Sequence, residues 1–265
     1  MTRIWRVRLC VCLWMGLSVA QAACVKTARW FEDGVYSYRG ADGQPTGLYV
    51  ELLRDAMRRM DCTVQWMELP WARGLAELEG GQLDILPGAR KTVERERFAY
   101  FSRPVNRSPN VLFMSAAANQ RYKFNKLADM VGTEFRLGIQ VGVAYGAEYD
   151  ELIKNPDFVA RTQPLTVRRN AWGMLQMGRL DGLIADEVTA WGELESLGLS
   201  KAVVRTKVVT SDEPGQYALS KRTNTPEFVA GLDKALNAML ADGSYKRIRE
   251  RFVPCTTLVE TQGCR

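Results

Sequence analysis

The chain has 265 residues, 46% apolar and 25% charged, with 36 basic and 30 acidic side chains and no histidine. That is an ordinary globular composition, long enough for one large or two medium domains. The missing histidine argues against zinc catalysis, Ser-His-Asp or Cys-His nucleophiles and a histidine pH switch.

Residues 1–23 read as a cleaved signal peptide. Arg3, Arg6 and Arg8 form a basic start, Leu9 to Ala20 is a short apolar run, and Ala20-Gln21-Ala22 is an A-x-A cleavage pattern. The run falls short of the roughly 20 apolar residues that span a bilayer. Secretion to the periplasm is the expectation. Without those three arginines, 33 basic residues face 30 acidic ones. The charges are interspersed, so no nucleic-acid partner is expected. Four cysteines remain, Cys24, Cys62, Cys255 and Cys264, and an oxidising compartment favours disulfides.

Cys24 to Trp30 reads as a strand, Gly40 to Gly47 as a turn, and Tyr49 to Met60 as a helix with Leu53, Ala56, Met57 and Met60 on one face. Cys62 to Leu69 is a second strand and Trp71 to Glu79 a helix ended by Gly80-Gly81. Leu83 to Leu86 is a third strand, broken at Pro87-Gly88. Strand, helix, strand, helix, strand implies right-handed crossovers and a parallel sheet. Cys24 and Cys62 would then begin neighbouring strands, so their pairing is expected, with Cys255–Cys264 closing a C-terminal loop.

Asn110 to Ser115 is another strand, and the small residues Ala116 to Ala118 look like a crossing between lobes. A second α/β unit follows, with strands at Phe135 to Val141 and Leu180 to Ala185. Its helices run over Ala144 to Lys154, over Ala171 to Met177, and from Asp186 to the residues before Gly198. Strands at Val203 to Val209 and Gln216 to Ser220 lead to a helix at Pro226 to Leu240 and a last one at Lys246 to Phe252. The expected division is lobe 1 over 24–115, lobe 2 over 116–208, and a return to lobe 1 with a C-terminal tail over 209–265. The fold class is α/β, two Rossmann-like lobes joined by a two-strand hinge with a ligand cleft between them.

The loop after Leu86 carries the candidate chemistry, because ligands of open α/β sheets bind at strand carboxyl ends. Thr92 suits the N-cap of a short helical turn. Alone, Arg95 belongs to a run of alternating charges, Glu94 to Arg97. Turned into a cleft, it is a planar fork for a carboxylate. Asp186 ends an apolar strand and opens a helix, so it reads as an N-cap and as an anion facing the same cleft. Trp71, Trp30 and Tyr36 are core aromatics by composition and stacking walls by position. Arg73 and Arg90 add charge at the same edge.

Four pieces in order then resemble the amino-acid-binding (family 3) class of bacterial periplasmic solute-binding proteins, with the type II periplasmic-binding fold. They are Gly47-Leu48-Tyr49-Val50-Glu51; Leu78, Gly81 and Asp84; Thr92-x-x-Arg95 with Phe101-Ser102-x-Pro104; and Ala235-Leu236 through Asp242-Gly243-Ser244-Tyr245. The resemblance implies that Arg95 grips a ligand carboxylate and Asp186 its ammonium. It also implies that Trp71 lines the side-chain pocket and that Gly88 contacts ligand through its backbone. Gln140 and Ala144 complete the expected set from the second lobe. Two departures stand out: Arg90 replaces a hydroxyl residue, and the loop Val141-Gly142-Val143-Ala144 lacks the usual hydroxyls. The expected ligand is an amino acid or related carboxylate, and these departures add an acidic or larger anionic ligand as an alternative. The implied protein is a monomeric, non-enzymatic receptor with no cofactor or metal, delivering a small polar solute to the inner-membrane permease of an ABC importer. The alternatives are a dehydratase-like enzyme using Glu187 or Glu32, and a ligand sensor partnering a membrane receptor kinase.

Overall fold

The computed structural model describes residues 24–253. Residues 1–23, where a signal peptide is expected, and Cys255 and Cys264 lie outside the described residues. Strand β1 (Cys24–Trp30) opens the chain. A hairpin of β2 (Tyr38–Arg39) and β3 (Pro45–Thr46) leads to helix α1 (Leu48–Arg58). Strand β4 (Cys62–Glu68) lies parallel to β1 with Cys24 opposite Cys62, and a disulfide joins the two as expected. Helix α2 (Trp71–Gly80) ends on Gly81 in the left-handed conformation that favours glycine.

Strand β5 (Ile85–Ala89) runs through Pro87-Gly88 rather than stopping there. Proline lacks the donor a ladder needs, and the register to the next strand in the sheet shifts at this point, which accommodates it. A three-residue strand, β6 (Ala99–Phe101), completes the first outward run.

The crossing lies upstream of the expected position. Strand β7 (Asn110–Ser115) pairs in the second sheet, and Ala116 begins helix α3 (Ala116–Arg121), where the Ser115 hydroxyl accepts from the Ala118 amide. The small residues form a capped helix, not a linker. Strand β8 (Leu137–Gln140), helices α4 (Ala147–Leu152) and α5 (Pro156–Val159), and strand β9 (Thr162–Leu165) follow. Helix α6 (Arg168–Gln176), strand β10 (Gly182–Asp186) and helix α7 (Glu187–Ser196) come next, then strand β11 (Val203–Ser211). The chain returns through β12 (Gln216–Ser220) and ends in α8 (Pro226–Ala241) and α9 (Ser244–Phe252).

The first sheet has the order β4-β1-β5-β12-β6 and the second β11-β7-β10-β8-β9. Each mixes parallel and antiparallel pairs, because the strand that returns to or enters each lobe runs against the others. Helices cover both faces of each sheet. In lobe 1, Leu52, Leu53 and Met57 of α1 pack with Leu232, Leu236 and Met239 of α8 on one face, and Leu78 of α2 packs with Leu83 and Leu86 on the other. In lobe 2, Phe135, Tyr145 and Phe158 fill one side, and Trp172, Leu175 and Leu194 the other. Each of these buried side chains contributes about 1.5–3 kcal/mol.

Two spans cross between the sheets, 107–109 and 212–214. Their lobe-1 ends are tied where the Gly215 amide donates to the Asn106 carbonyl at 2.7 Å and the Gly215 carbonyl accepts from the Asn106 amide at 3.3 Å. Their lobe-2 ends are tied by the pairing of Asn110 with Ser211.

Candidate functional site

The carboxyl ends of β5 and β10 meet across a cleft lined from both lobes. Its space of about 90 Å³ exceeds what a single water needs, about 10–15 Å³, and can hold several waters or the head of a small solute. Gly88 sits at the floor with φ +77°, and a Cβ there would lie 2.9 Å from the Tyr49 ring. The backbone approach at this point therefore requires glycine.

Arg95 stands one short turn beyond. Thr92 accepts from the Arg95 amide through its hydroxyl at 3.2 Å, although the helical turn Arg95–Arg97 has Glu94, not the expected Thr92, at its N-cap position. Arg95 is 7% exposed, and its guanidinium donates to two carbonyls, that of Arg90 at 2.7 Å and that of Gly142 at 2.8 Å. The Trp71 ring lies 5.8 Å away, and its indole N–H donates to the same Gly142 carbonyl at 2.9 Å. Gly142 belongs to lobe 2, so both side chains reach across the cleft. Burial lowers the Arg95 pKa to about 10, against the pull of Glu94, which leaves it charged at neutral pH. Among the described residues no carboxylate lies within ion-pair distance of it.

Asp186 caps α7, accepting from the Thr189 amide and hydroxyl at 3.0 Å each. It also faces the cleft. Burial raises its pKa, opposed by the Thr189 amide, Arg90 and Ser108. Arg90 donates to the Ser108 carbonyl at 2.8 Å and to the Ser211 hydroxyl, so it bridges the two crossing strands. Tyr36, Gln140 and Ala144 line the cleft as expected. The Tyr36 hydroxyl accepts from the Asn106 amide at 2.8 Å, the Gln140 amide donates to the Tyr145 hydroxyl at 2.7 Å, and the Ala144 carbonyl accepts from Asn110 at 3.3 Å.

Trp30 is the exception. Successive residues of a strand face opposite sides, and Arg29 takes the side of Trp71, 5.2 Å from its ring. Trp30 turns away, is 4% exposed, and has the Arg39 guanidinium 4.6 Å over its ring. It does not line the cleft. Glu187 is buried against Arg205, and Glu32 lines a separate groove, so neither sits where a reaction on a cleft-bound solute would occur.

Sequence reasoning missed the second charged group. Arg168, at the start of α6, donates to Asp33 of lobe 1 at 2.8 Å and to Glu193 of lobe 2 at 2.9 and 3.2 Å. The Trp172 indole donates to Glu193 at 2.6 Å. Burial alone would raise the Asp33 carboxyl, but Arg168 and then Arg29 hold it below the ordinary carboxylate value. Two arginines at a helix N-terminus oppose the helix dipole, and that local conflict was the signal to look for partners. A second signal was the spacing Asn106-x-Ser108-x-Asn110, which sets three polar groups on one side of an extended segment.

The profile of the bacterial extracellular solute-binding proteins, family 3, matches residues 33–254. The chain belongs to this family of solute-binding proteins. Its curated relatives include the L-cystine-binding protein TcyA of Bacillus subtilis (strain 168), 22% identical over 91% of this chain and 84% of that protein. Another is the putative ABC transporter arginine-binding protein 2 of Escherichia coli (strain K12), 25% identical over 80% of this chain and 83% of that protein. Among solved structures, an ancestral arginine-binding protein bound to arginine superposes with a TM-score of 0.74 at 19% identity, covering 86% of this chain and 98% of that one. A histidine kinase sensor domain with similarity to periplasmic binding proteins reaches the same TM-score at 18% identity, covering 88% and 96%. These superpositions support the two-lobed fold.

Proposed function

We propose that this protein is a periplasmic receptor, exported by a cleaved signal peptide. It closes its two lobes on a small carboxylate of amino-acid size and presents it, as a monomer, to the inner-membrane permease of an ABC importer. The observation that carries the reading is Arg95. It is a buried guanidinium whose hydrogen bonds, among the described residues, go to two backbone carbonyls, one of them from the opposite lobe. Carbonyls give a buried cation less than a carboxylate does, and a bidentate arginine fork suits an incoming carboxylate. A solute bound there meets Trp71 as a wall and the Gly88 backbone as a floor. Arg95 comes from lobe 1 and the Gly142 loop from lobe 2, so a ligand touching both favours the closed state by its differential contacts.

The curated relatives named as parts of ABC transporters favour transport over signalling as the output. Isothermal calorimetry against a panel of amino acids and small organic acids tests the site. Arg95→Met removes two charge-assisted hydrogen bonds, at least about 3 kcal/mol, so affinity for the bound acid falls more than about 100-fold. Unchanged affinity would exclude Arg95 as the anchor.

A further inference from the structure

Resting on that carboxylate reading, we propose that the cleft selects a carboxylate without an α-ammonium group, because Arg90 already supplies the cation that Asp186 faces. Asp186, Asn110 and Ser211 lie in register across three adjacent strands, β10, β7 and β11. Strands are spaced about 4.8 Å apart, so this row spans roughly 10 Å; Ser211 at one end holds the Arg90 guanidinium, Asp186 stands at the other, and both side chains line the cleft. Ser108 ties them further. Arg90 donates to its carbonyl, while its hydroxyl accepts from the Val188 amide in the helix turn that Asp186 caps.

Asp186 is therefore a poor seat for a ligand cation. One of its oxygens already takes two donors from Thr189. An ammonium bound there would be a second positive charge beside Arg90 in a buried site. The effect of Arg90 on Asp186 is consistent with this, since its charge opposes the rise that burial imposes on that carboxyl.

The charges lining the cleft point the same way. They are Asp33, Arg90, Arg95, Arg168 and Asp186. Arg168 pairs with Asp33 and Glu193, and Arg29 lies 3.9 Å from Asp33, so these four cancel. Arg90 and Arg95 then face Asp186 alone, leaving one positive charge in excess. A zwitterion brings no net charge and leaves that excess buried and uncompensated; a monocarboxylate cancels it.

The test uses matched acids on the full mature protein. L-Leucine, L-phenylalanine and L-glutamate are each compared by calorimetry with their 2-oxo and their deaminated counterparts. The expected result is that the counterpart without the ammonium binds at least about tenfold more tightly than the amino acid. Arg90→Ser should reduce or reverse that preference. Asp186→Asn keeps a good helix cap and removes a repelling carboxylate, so it should raise affinity for the deaminated acid severalfold. An amino acid that binds as tightly as its counterpart or more so, or an Asp186→Asn variant that gains nothing, overturns the inference and leaves the carboxylate site standing. If no acid of either kind binds, the carboxylate reading falls and this inference falls with it.

Discussion

Asp33→Asn isolates the half-buried ion pair that, among the described residues, joins the lobes. Arg168 makes two of its carboxylate contacts within lobe 2, to Glu193, and a third across the cleft to Asp33. The substitution leaves the Glu193 contacts in place and turns the crossing contact from charged to neutral. A hydrogen bond to a charged group contributes about 1.5–3 kcal/mol and a neutral one about 0.5–1.5. The closed state should lose about 1–2 kcal/mol, a factor of roughly 5–30 in the closed-to-open ratio. The Asp33 side chain keeps 26% of its exposure, so added salt should weaken the crossing contact in part. Energy transfer between one dye on each lobe, measured without ligand, reads the ratio directly. A parallel denaturant titration is needed, because Asp33 also sits near the buried Arg29. If the variant loses global stability while its lobe separation stays as in the parent, Asp33 is a brace for Arg29 and the latch reasoning is wrong.

Two further outcomes follow from the same structure. The folded Asp33 carboxyl titrates below its ordinary value, so its contribution is fully present above the unfolded carboxylate value of about 4 and is lost as pH falls through the folded one. Dye separation measured from neutral to strongly acidic pH should hold constant until below about pH 4, and opening near neutrality would contradict it. Removing the Cys24–Cys62 disulfide frees a loop of 38 residues. Loop-closure entropy puts the cost at about 4 kcal/mol, or about 8–16 °C in Tm for a protein of this size. A double Cys→Ala variant that melts within about 3 °C of the parent would reject that account.

The long helices and the first β-α-β units were legible because their signals are local. α1 and α8 repeat apolar residues at helical spacing, and the cysteines that start β1 and β4 meet in register. β6, β9 and α5 are three or four residues long, too short to show a period. Even so, Asn155 before Pro156 was a readable cap and first-turn pair. At the site, Thr92 and Arg95 form a local unit, so a four-residue spacing sufficed to find it. Asp33 and Arg168 are 135 residues apart, and only the folded chain brings them together. Trp30 was misplaced for a related reason: a strand end marks a site, but only the pleat decides which of two neighbouring side chains enters it. The crossing was misplaced because small residues can serve a linker or a helix, and the Ser115 cap settles it as a helix.

The two crossing spans have a practical consequence. Each is three residues long, each contains a proline (Pro109 and Pro214), and both are tied at their ends by backbone pairing. Proline removes freedom in φ, so few torsions remain to bend, and each lobe should travel as a rigid jaw about one axis. Reporter groups need not approach the cleft at all. Val93 on one lobe and Met177 on the other are well exposed, and labels there would register closure as a change in separation. Solute recognition could then be read optically with the binding surface untouched.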